Sequence, residues 1–270
     1  MDRGVSAERK QYLGEIKRRS RAVTALRLGL LLAFFALWEL SAALGAVDAF
    51  IVSSPSRMGE TFLSLLRSGE LWLHLGTSLW ETVAGFVLGT LLGTFIAVLL
   101  WWSPFLSRVL DPYLVVLNAL PKTALGPIFI VWMGAGAGSI IAMTLAISLI
   151  VTILDMLSGF LGVDEEKIRL MRSLGASRMK ILTKLVIPAN FTTLINALKV
   201  NVGLSWVGVI MGEFLVSKAG LGYLIVYGSQ VFQMDLVMTT VLLLALAAAG
   251  MYLGILQLEK WLKKYLGVVT

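Results

Sequence analysis

Residues 163–188 read VDEEKIRLMRSLGASRMKILTKLVIP, a charged segment between two long apolar stretches. Six of these residues are lysine or arginine, and each would cost roughly 2.5–3.5 kcal/mol at the centre of a bilayer. The few apolar residues among them do not offset that cost. The segment must therefore lie outside the membrane, and the apolar stretches on either side are predicted to be membrane spans.

Two short helices are predicted within this segment. Asp164 and Ser177 are suited to cap the first and the second helix. Gly175 is expected to separate them, because glycine readily adopts a left-handed conformation, and Pro188 is expected to end the second. Each helix places apolar residues on one face, Ile168, Met171 and Leu174 in the first and Met179, Leu182 and Val186 in the second. The segment should therefore offer an apolar ridge flanked by cations, which suits a docking element.

The composition indicates an integral membrane protein, since 58% of the 270 residues are hydrophobic and the mean hydropathy is +0.87. The net charge of +7 does not point to nucleic acid. Of the 23 lysines and arginines, 17 lie in residues 1–27, 163–189 and 257–270, which is the positive-inside pattern. The absence of cysteine excludes disulfides and thiol chemistry. The one histidine, His74, is predicted to be a surface residue and not a metal ligand.

An all-α polytopic membrane protein with six transmembrane helices is predicted. A cytoplasmic arm (1–27) precedes a single transmembrane domain (28–270), an outer interfacial helix is expected in 48–77, and an outer segment with a turn is expected in 213–236. The predicted spans are 28–47, 78–102, 113–134, 139–161, 190–212 and 237–256.

Two spans carry unusual sequence features. Gly85, Gly89 and Gly93 recur at four-residue spacing in the second span and should allow close packing of another helix. The third span contains Asn118, Lys122 and two prolines, so it should be broken, and irregular backbone at this depth needs protein or water around it. The fifth span is unusually polar and is expected to face a cavity or other helices.

The 163–188 segment resembles the cytoplasmic coupling loop, or EAA loop, of binding-protein-dependent ABC importer permeases. The likeness lies in Leu174-Gly175-Ala176-Ser177 followed by Ile187-Pro188-Ala189, whereas Arg169-Leu170-Met171 stands where that family has Glu-Ala-Ala. Further signatures resemble the nitrate, sulfonate and taurine branch of the family. In chain order these are Trp38-Glu39, Ser54-Pro55-Ser56, Ser68-Gly69-Glu70-Leu71-Trp72, Gly85-Phe86, Asp111-Pro112, Pro121 with Pro127, and Glu213 with Gly220-Leu221-Gly222.

The resemblance implies a type I ABC importer permease (MetI-like) fold in a bacterial inner membrane, with both termini cytoplasmic. It implies a second permease copy in a homodimer, a cytoplasmic ABC ATPase dimer and an extracytoplasmic substrate-binding protein as partners. ATP and Mg would be bound by the ATPase, so this chain would hold no cofactor or metal and would not be an enzyme. Residues expected to couple to the ATPase are Glu166, Arg169, Arg172, Leu174, Gly175, Ala176, Ser177 and Met179.

Candidate pathway residues are the polar and aromatic side chains within the spans, namely Asn118, Lys122, Lys199, Asn201, Trp206 and Glu213. Unpaired lysines at membrane depth would favour an anion such as nitrate, a sulfonate or a phosphorylated compound. Alternatively, both lysines snorkel to the inner face or pair with Glu39, Glu81 or Asp155. An aromatic vitamin precursor also remains open as the substrate.

Two other functions are alternatives. An ATP-independent secondary transporter or channel could use Lys122 and Lys199, although the sequence shows no inverted repeat between its halves. A structural or assembly subunit without transport would not need the polar fifth span.

Overall fold

The computed structural model describes residues 7–266, so residues 1–6 of the predicted arm and residues 267–270 of the predicted transmembrane domain lie outside it. Thirteen α-helices occupy this range: α1 (Ala7–Ala43), α2 (Ala49–Val52), α3 (Pro55–Ser68), α4 (Glu70–Trp102), α5 (Pro104–Ala119), α6 (Gly126–Met133), α7 (Ala137–Leu161), α8 (Glu165–Ser173), α9 (Arg178–Ile181), α10 (Ile187–Ala189), α11 (Phe191–Val216), α12 (Leu221–Gln230) and α13 (Met234–Leu266). A 3₁₀ turn covers Lys122–Leu125 and a π-helical turn covers Leu182–Val186.

Five helical segments are long and apolar enough to cross a membrane, namely Arg18–Ala43, Glu70–Trp102, Ala137–Leu161, Phe191–Val216 and Met234–Lys264. A sixth span is built from two pieces, Pro104–Ala119 and Lys122–Met133, which meet at 89°. The break expected in the third span is therefore present. Leu120 is extended (φ −61°, ψ 134°), because the ring of Pro121 disfavours helical backbone in the residue before it.

The centre of the bundle is formed by α4, α7 and α11. Three glycines of α4 face three small hydroxyl residues of α7, and a Cβ atom on any of these glycines would come within 3 Å of the opposing side chain. The hydroxyls donate to carbonyls of their own helix. Carbon atoms of the two threonines face Gly85 and Gly93, and the hydroxyl oxygen of Ser148 faces Gly89. The predicted close packing is confirmed, with the pairs Gly85 and Thr144, Gly89 and Ser148, and Gly93 and Thr152.

Asn201 of α11 joins this centre through its side-chain amide. The amide nitrogen donates to Thr90 of α4 at 3.1 Å and to Thr152 of α7 at 2.7 Å. Only 1% of Asn201 is exposed. One polar residue thus links all three central helices, as buried amides do when hydrogen bonding replaces the hydrophobic effect between membrane helices.

The helices differ from the predicted elements outside the spans. The helix expected within 48–77 is present as α3, which follows the break near Pro55, whereas α2 before it was not predicted and α4 begins at Glu70, eight residues ahead of the predicted second span. Gly69, at φ +81°, turns the chain between α3 and α4. The predicted outer segment 213–236 begins inside α11 and holds a helix of its own, α12. We call the end of the bundle that carries residues 164–187 the inner end, and the opposite end the outer end.

Candidate coupling loop and pathway residues

The 164–187 segment forms two helices that meet at a glycine, as predicted. The side chain of Asp164 accepts a hydrogen bond from the Glu166 backbone N–H at 2.9 Å and caps α8. The hydroxyl of Ser177 accepts from the Lys180 N–H at 3.4 Å and caps α9. Gly175 between them has φ +77°, a conformation that costs other residues about 1–2 kcal/mol.

The apolar residues of this segment do not form the single ridge that was predicted. Ile168, Met171 and Ala176 pack against the core at the inner end, where Leu182 and Val186 are buried. A second set points away from the bundle and is exposed: Leu170 (60%), Leu174 (77%) and Met179 (56%). One set of apolar residues therefore anchors the segment, and a smaller set remains exposed.

The prediction that Pro188 ends the second helix is wrong, because the chain stays helical to Ala189 and resumes as α11 at Phe191. A proline ring in a helix collides with the carbonyl four residues before it. Here the π-helical turn Leu182–Val186 widens the backbone just ahead of the proline. Asn190 then closes the turn, since its backbone N–H and its side-chain amide both donate to the carbonyl of Val186.

The charged residues of the segment are exposed. Arg169 pairs with Glu165 one turn earlier on α8, at 2.8 Å, with both side chains more than 70% exposed. Glu166 and Arg172 are also exposed. Such a surface pair contributes little to stability, so these side chains remain available for contacts outside the chain.

Arg178 makes a contact that sequence reasoning missed. Its guanidinium carbon lies 5.7 Å from the ring centre of Trp101 and 5.5 Å from that of Trp102, and its Nη2 lies 3.4 Å from the Trp101 carbonyl oxygen. The two tryptophans were expected only to mark the membrane interface. Two sequence features could have indicated this contact. One is a basic residue next to the predicted cap, and the other is a pair of tryptophans at the end of a predicted span.

A buried polar cluster holds the start of α12 at the outer end. Three successive backbone N–H groups, which the helix itself leaves without acceptors, each meet a side chain. Gly220 donates to His74 Nδ1 at 3.0 Å, Leu221 to the Ser78 hydroxyl at 2.7 Å, and Gly222 to Glu213 Oε2 at 2.5 Å. The Ser78 hydroxyl in turn donates to Glu213 Oε1 at 2.5 Å.

This cluster corrects the prediction for His74, which is not a surface residue but only 6% exposed. It also explains the sequence signature of Glu213 with Gly220-Leu221-Gly222. A Cβ atom at Gly220 or Gly222 would lie within 3 Å of the Glu213 side chain, so the turn can close around the carboxylate only with glycine at both positions.

A second pair of signatures meets between α1 and α3. Glu39 accepts from the backbone N–H of Ser56 at 2.9 Å and from its hydroxyl at 2.8 Å. The carboxylate thus accepts hydrogen bonds from the first turn of α3, where a negative charge is favourable because of the helix dipole. Trp38-Glu39 and Ser54-Pro55-Ser56 therefore form one contact that holds α1 to the bundle.

The candidate pathway residues do not form one cluster. Lys199 of α11 pairs with Glu259 of α13 at 2.7 Å, and Lys263 binds the other oxygen of the same carboxylate. Glu259 was not among the partners considered from the sequence. Asn201 and Trp206 are buried between helices, and Glu213 belongs to the cluster at the start of α12.

Lys122 and Asn118 lie together at the bend between α5 and α6. The ammonium of Lys122 donates to the backbone carbonyl of Asn118 at 2.8 Å, and the Asn118 side-chain oxygen is 3.5 Å away. Within residues 7–266, no carboxylate lies at ion-pair distance from Lys122. In the same range, no group of three or more acidic or histidine side chains is arranged to hold a metal ion.

In the part of the chain that the structure describes, this geometry defines an all-helical membrane protein with a helical hairpin at one end and a bent span whose lysine has no carboxylate partner. Residues 89–266 match the family model of the binding-protein-dependent transport system inner membrane component. The chain belongs to this family of transporter permeases.

Individual relatives agree with that assignment. A relative from Bacillus subtilis (strain 168), named for aliphatic sulfonates transport as the permease protein SsuC, is 29% identical over 88% of this chain and 89% of its own length. The riboflavin transport system permease protein RibX of Chloroflexus aurantiacus is 28% identical, with 88% of each chain covered.

A solved structure shows the same fold. It is an inward-facing conformation of the MetNI methionine ABC transporter, with a TM-score of 0.58 and 20% identity, and the match covers 70% of this chain and 96% of that one. The fold class predicted from the sequence, a type I ABC importer permease with six transmembrane helices, is confirmed.

Proposed function

We propose that this chain is the permease subunit through which an ATP-driven importer passes a small sulfonate-like anion into the cytoplasm. A separate ABC ATPase dimer would bind the 164–187 segment, and an extracytoplasmic binding protein would deliver the solute. The chain itself would bind no cofactor and catalyse no reaction, since ATP and Mg would reside in the ATPase.

The observation that carries the proposal is the divided apolar surface of the 164–187 segment. Leu170, Leu174 and Met179 are exposed on a hairpin whose other face is anchored in the bundle. Exposed apolar side chains rimmed by charged ones are typical of a protein interface. An anchored hairpin can also transmit displacement to α7 and α11, which continue from its two ends.

The charge distribution supports a cytoplasmic inner end. Positive residues concentrate in 1–27, 163–189 and 257–270. Six spans would put an even number of crossings between each of these segments and the next, so all three would lie on the side of the membrane that holds the inner end. By the positive-inside rule that end faces the cytoplasm, in a multi-pass protein of a bacterial inner membrane with both termini inside.

A second copy of the permease would cover the bent span. The break at residues 119–122 leaves irregular backbone and an unpaired lysine at membrane depth, and neither is tolerated against lipid. Apolar side chains around the break are exposed in the single chain, among them Val116 (62%), Val131 (82%) and Trp132 (76%). A homodimer with the solute passing between the copies would cover this surface and place Lys122 near the pathway.

Lys122 is the feature that favours an anion. The relatives do not decide the substrate, because the permeases named for aliphatic sulfonates and for riboflavin are equally similar to this chain. An ammonium without a carboxylate partner in the described part of the chain favours a negatively charged solute. Lys199 contributes less to this argument, since Glu259 already neutralises it.

The test is purification of the tagged chain from its native membranes in mild detergent, with mass spectrometry of the bound proteins. We expect one P-loop ATPase per permease copy and its loss in Leu174→Glu, which buries a charge at the interface and leaves the bundle intact. Lys184→Ala, an exposed change on the same segment, is the matched control. A chain that purifies alone in its parent form would refute the importer function and favour an ATP-independent transporter.

Substrate charge is tested separately by uptake of a labelled alkanesulfonate and of labelled riboflavin into vesicles that contain the complex, with its binding protein supplied on the outside. Sulfonate uptake should fall in Lys122→Ala and persist in Lys122→Arg. Undiminished sulfonate uptake in Lys122→Ala, or uptake of riboflavin alone, would contradict the anionic assignment and leave the ATPase result unaffected.

A further inference from the structure

Arg178 connects the 164–187 segment to a helix that is not its neighbour in sequence. It is the first residue of α9, and it contacts the end of α4, 77 residues earlier in the chain. Its guanidinium group lies over the rings of both Trp101 and Trp102. The two indole rings lie 6.3 Å apart at 68° to each other, so both are within reach of one cation.

The chemistry of this contact suits arginine. The last carbonyls of a helix lack intrahelical donors and carry partial negative charge. The backbone N–H of Ser103 donates to the carbonyls of Leu99 and Leu100, and the Arg178 guanidinium donates to the carbonyl of Trp101. A planar guanidinium can stack on an aromatic ring and donate a hydrogen bond at the same time, whereas a lysine ammonium can do only part of this.

The other end of α4 holds α12. His74 and Ser78, both on α4, accept the backbone N–H groups of Gly220 and Leu221. Along its length α4 is packed against α7 through the glycine stripe, with no side-chain layer between the backbones. As a continuous helix of 33 residues, about 50 Å long, α4 therefore runs from Arg178 at the inner end to the start of α12 at the outer end.

We propose that Arg178 is a positioning residue that makes α4 part of the body moved by the 164–187 segment. When an ATPase displaces the segment, α4 follows, and the displacement reaches α12 at the outer end. The covalent connections of the segment lead only to α7 and α11, and α4 otherwise meets the segment through apolar packing, so Arg178 adds a directional polar link between the segment and α4. This proposal rests on the proposed function, because it requires a partner that moves the segment.

The contact can be removed without removing the anchor of the segment. Ile181 and Leu182 belong to the same buried cluster as Leu100 and Trp101, and they remain when Arg178 is replaced. Arg178 itself is exposed on its other side. We therefore expect Arg178→Ala to assemble normally and to keep the apolar packing, but to lose the cation–π contacts and the hydrogen bond between α9 and the end of α4.

The experiment uses the absence of cysteine in this chain. Ser229 of α12 is exposed. Ser229→Cys can therefore carry one environment-sensitive fluorophore per permease copy, in a complex whose ATPase cysteines have been replaced. Emission is compared without nucleotide and after trapping with ATP and vanadate. We expect a nucleotide-dependent change in the labelled parent. In Arg178→Ala the equilibrium constant between the two emission states should fall by about 2- to 30-fold, and in Arg178→Lys it should fall by less. Lys184→Ala should match the parent.

ATP hydrolysis is measured in the same samples and separates the possible failures. Hydrolysis that persists in Arg178→Ala with a reduced emission change supports the proposal, since a mere folding defect would lower both. An unchanged emission response in Arg178→Ala, or no response in a hydrolysing parent, would overturn it and leave the importer function standing. A parent that contains no ATPase would overturn both.

A second variant covers the case in which Arg178→Ala does not assemble. Trp102→Ala removes one of the two rings and leaves the hydrogen bond to the Trp101 carbonyl. A reduced emission response at normal ATP hydrolysis would support the proposal, and a response equal to that of the parent would overturn it.

Discussion

Glu213 is the residue whose removal should reveal how the outer end is held. Its carboxylate accepts the Ser78 hydroxyl and the Gly222 N–H, both at 2.5 Å, and it is 2% exposed. Glu213→Ala leaves the Gly222 N–H buried without an acceptor, at about 1–3 kcal/mol, and removes the Ser78 bond, at about 0.5–1.5 kcal/mol. The expected loss is therefore about 2–4 kcal/mol.

For a protein of this size, that loss corresponds to a fall in Tm of roughly 4–16 °C. The assay is thermal unfolding of the purified chain in detergent, followed by intrinsic tryptophan fluorescence. Glu213→Gln keeps one acceptor oxygen and should lose less. Glu60→Ala, which removes an exposed carboxylate on α3, is the matched control and should stay within about 0.5 kcal/mol of the parent.

The pair Glu213 and Ser78 provides a sharper check. Because the two residues share one hydrogen bond, the double variant Ser78→Ala/Glu213→Ala should lose less stability than the sum of the single variants. Strictly additive losses would show that the two side chains act independently. A Glu213→Ala variant as stable as the Glu60→Ala control would refute the role assigned to the cluster.

Three further predictions follow from the packing. Gly89→Leu should abolish recovery of monodisperse protein in size-exclusion chromatography because α7 occupies the space, whereas Gly29→Leu, with nothing within 4 Å, should be recovered like the parent. Gly175→Val should reduce ATPase co-purification, because its φ of +77° disfavours branched side chains, and Gly175→Asn should retain more of it. Lys199→Met should lower Tm, because Glu259 then keeps only Lys263 as a partner, and the double variant Lys199→Met/Glu259→Gln should regain part of the lost Tm. An unchanged Tm in Lys199→Met would show that the pair does not stabilise the bundle.

The parts of the fold that sequence reasoning predicted correctly are those governed by local physics. The caps at Asp164 and Ser177 and the left-handed Gly175 depend on residues only a few positions apart. The apolar spans depend on a run of residues long enough to cross a bilayer. The glycine stripe of α4 was readable because four-residue spacing places the glycines on one helix face.

The errors arose where distant or backbone effects decide the structure. Pro188 was expected to stop a helix, but a π-helical turn before it absorbs the steric conflict. His74 was expected on the surface because the sequence has no second histidine for a metal site, yet its acceptor nitrogen is used by Gly220, 146 residues later. Lys199 was considered for the pathway because its partner, Glu259, lies 60 residues away on another helix.

By itself, then, the sequence determined the class of protein, the membrane-spanning segments and the two-helix hairpin, because hydrophobic length and helix capping act within a few turns of the chain. Only the tertiary structure decided which apolar residues of the hairpin are buried, which polar groups satisfy the start of α12, and which cation reaches the end of α4. These contacts join residues that are 60 to 146 positions apart. Which residues meet in these contacts depends on how whole helices pack against one another. It cannot be predicted from the sequence around either residue.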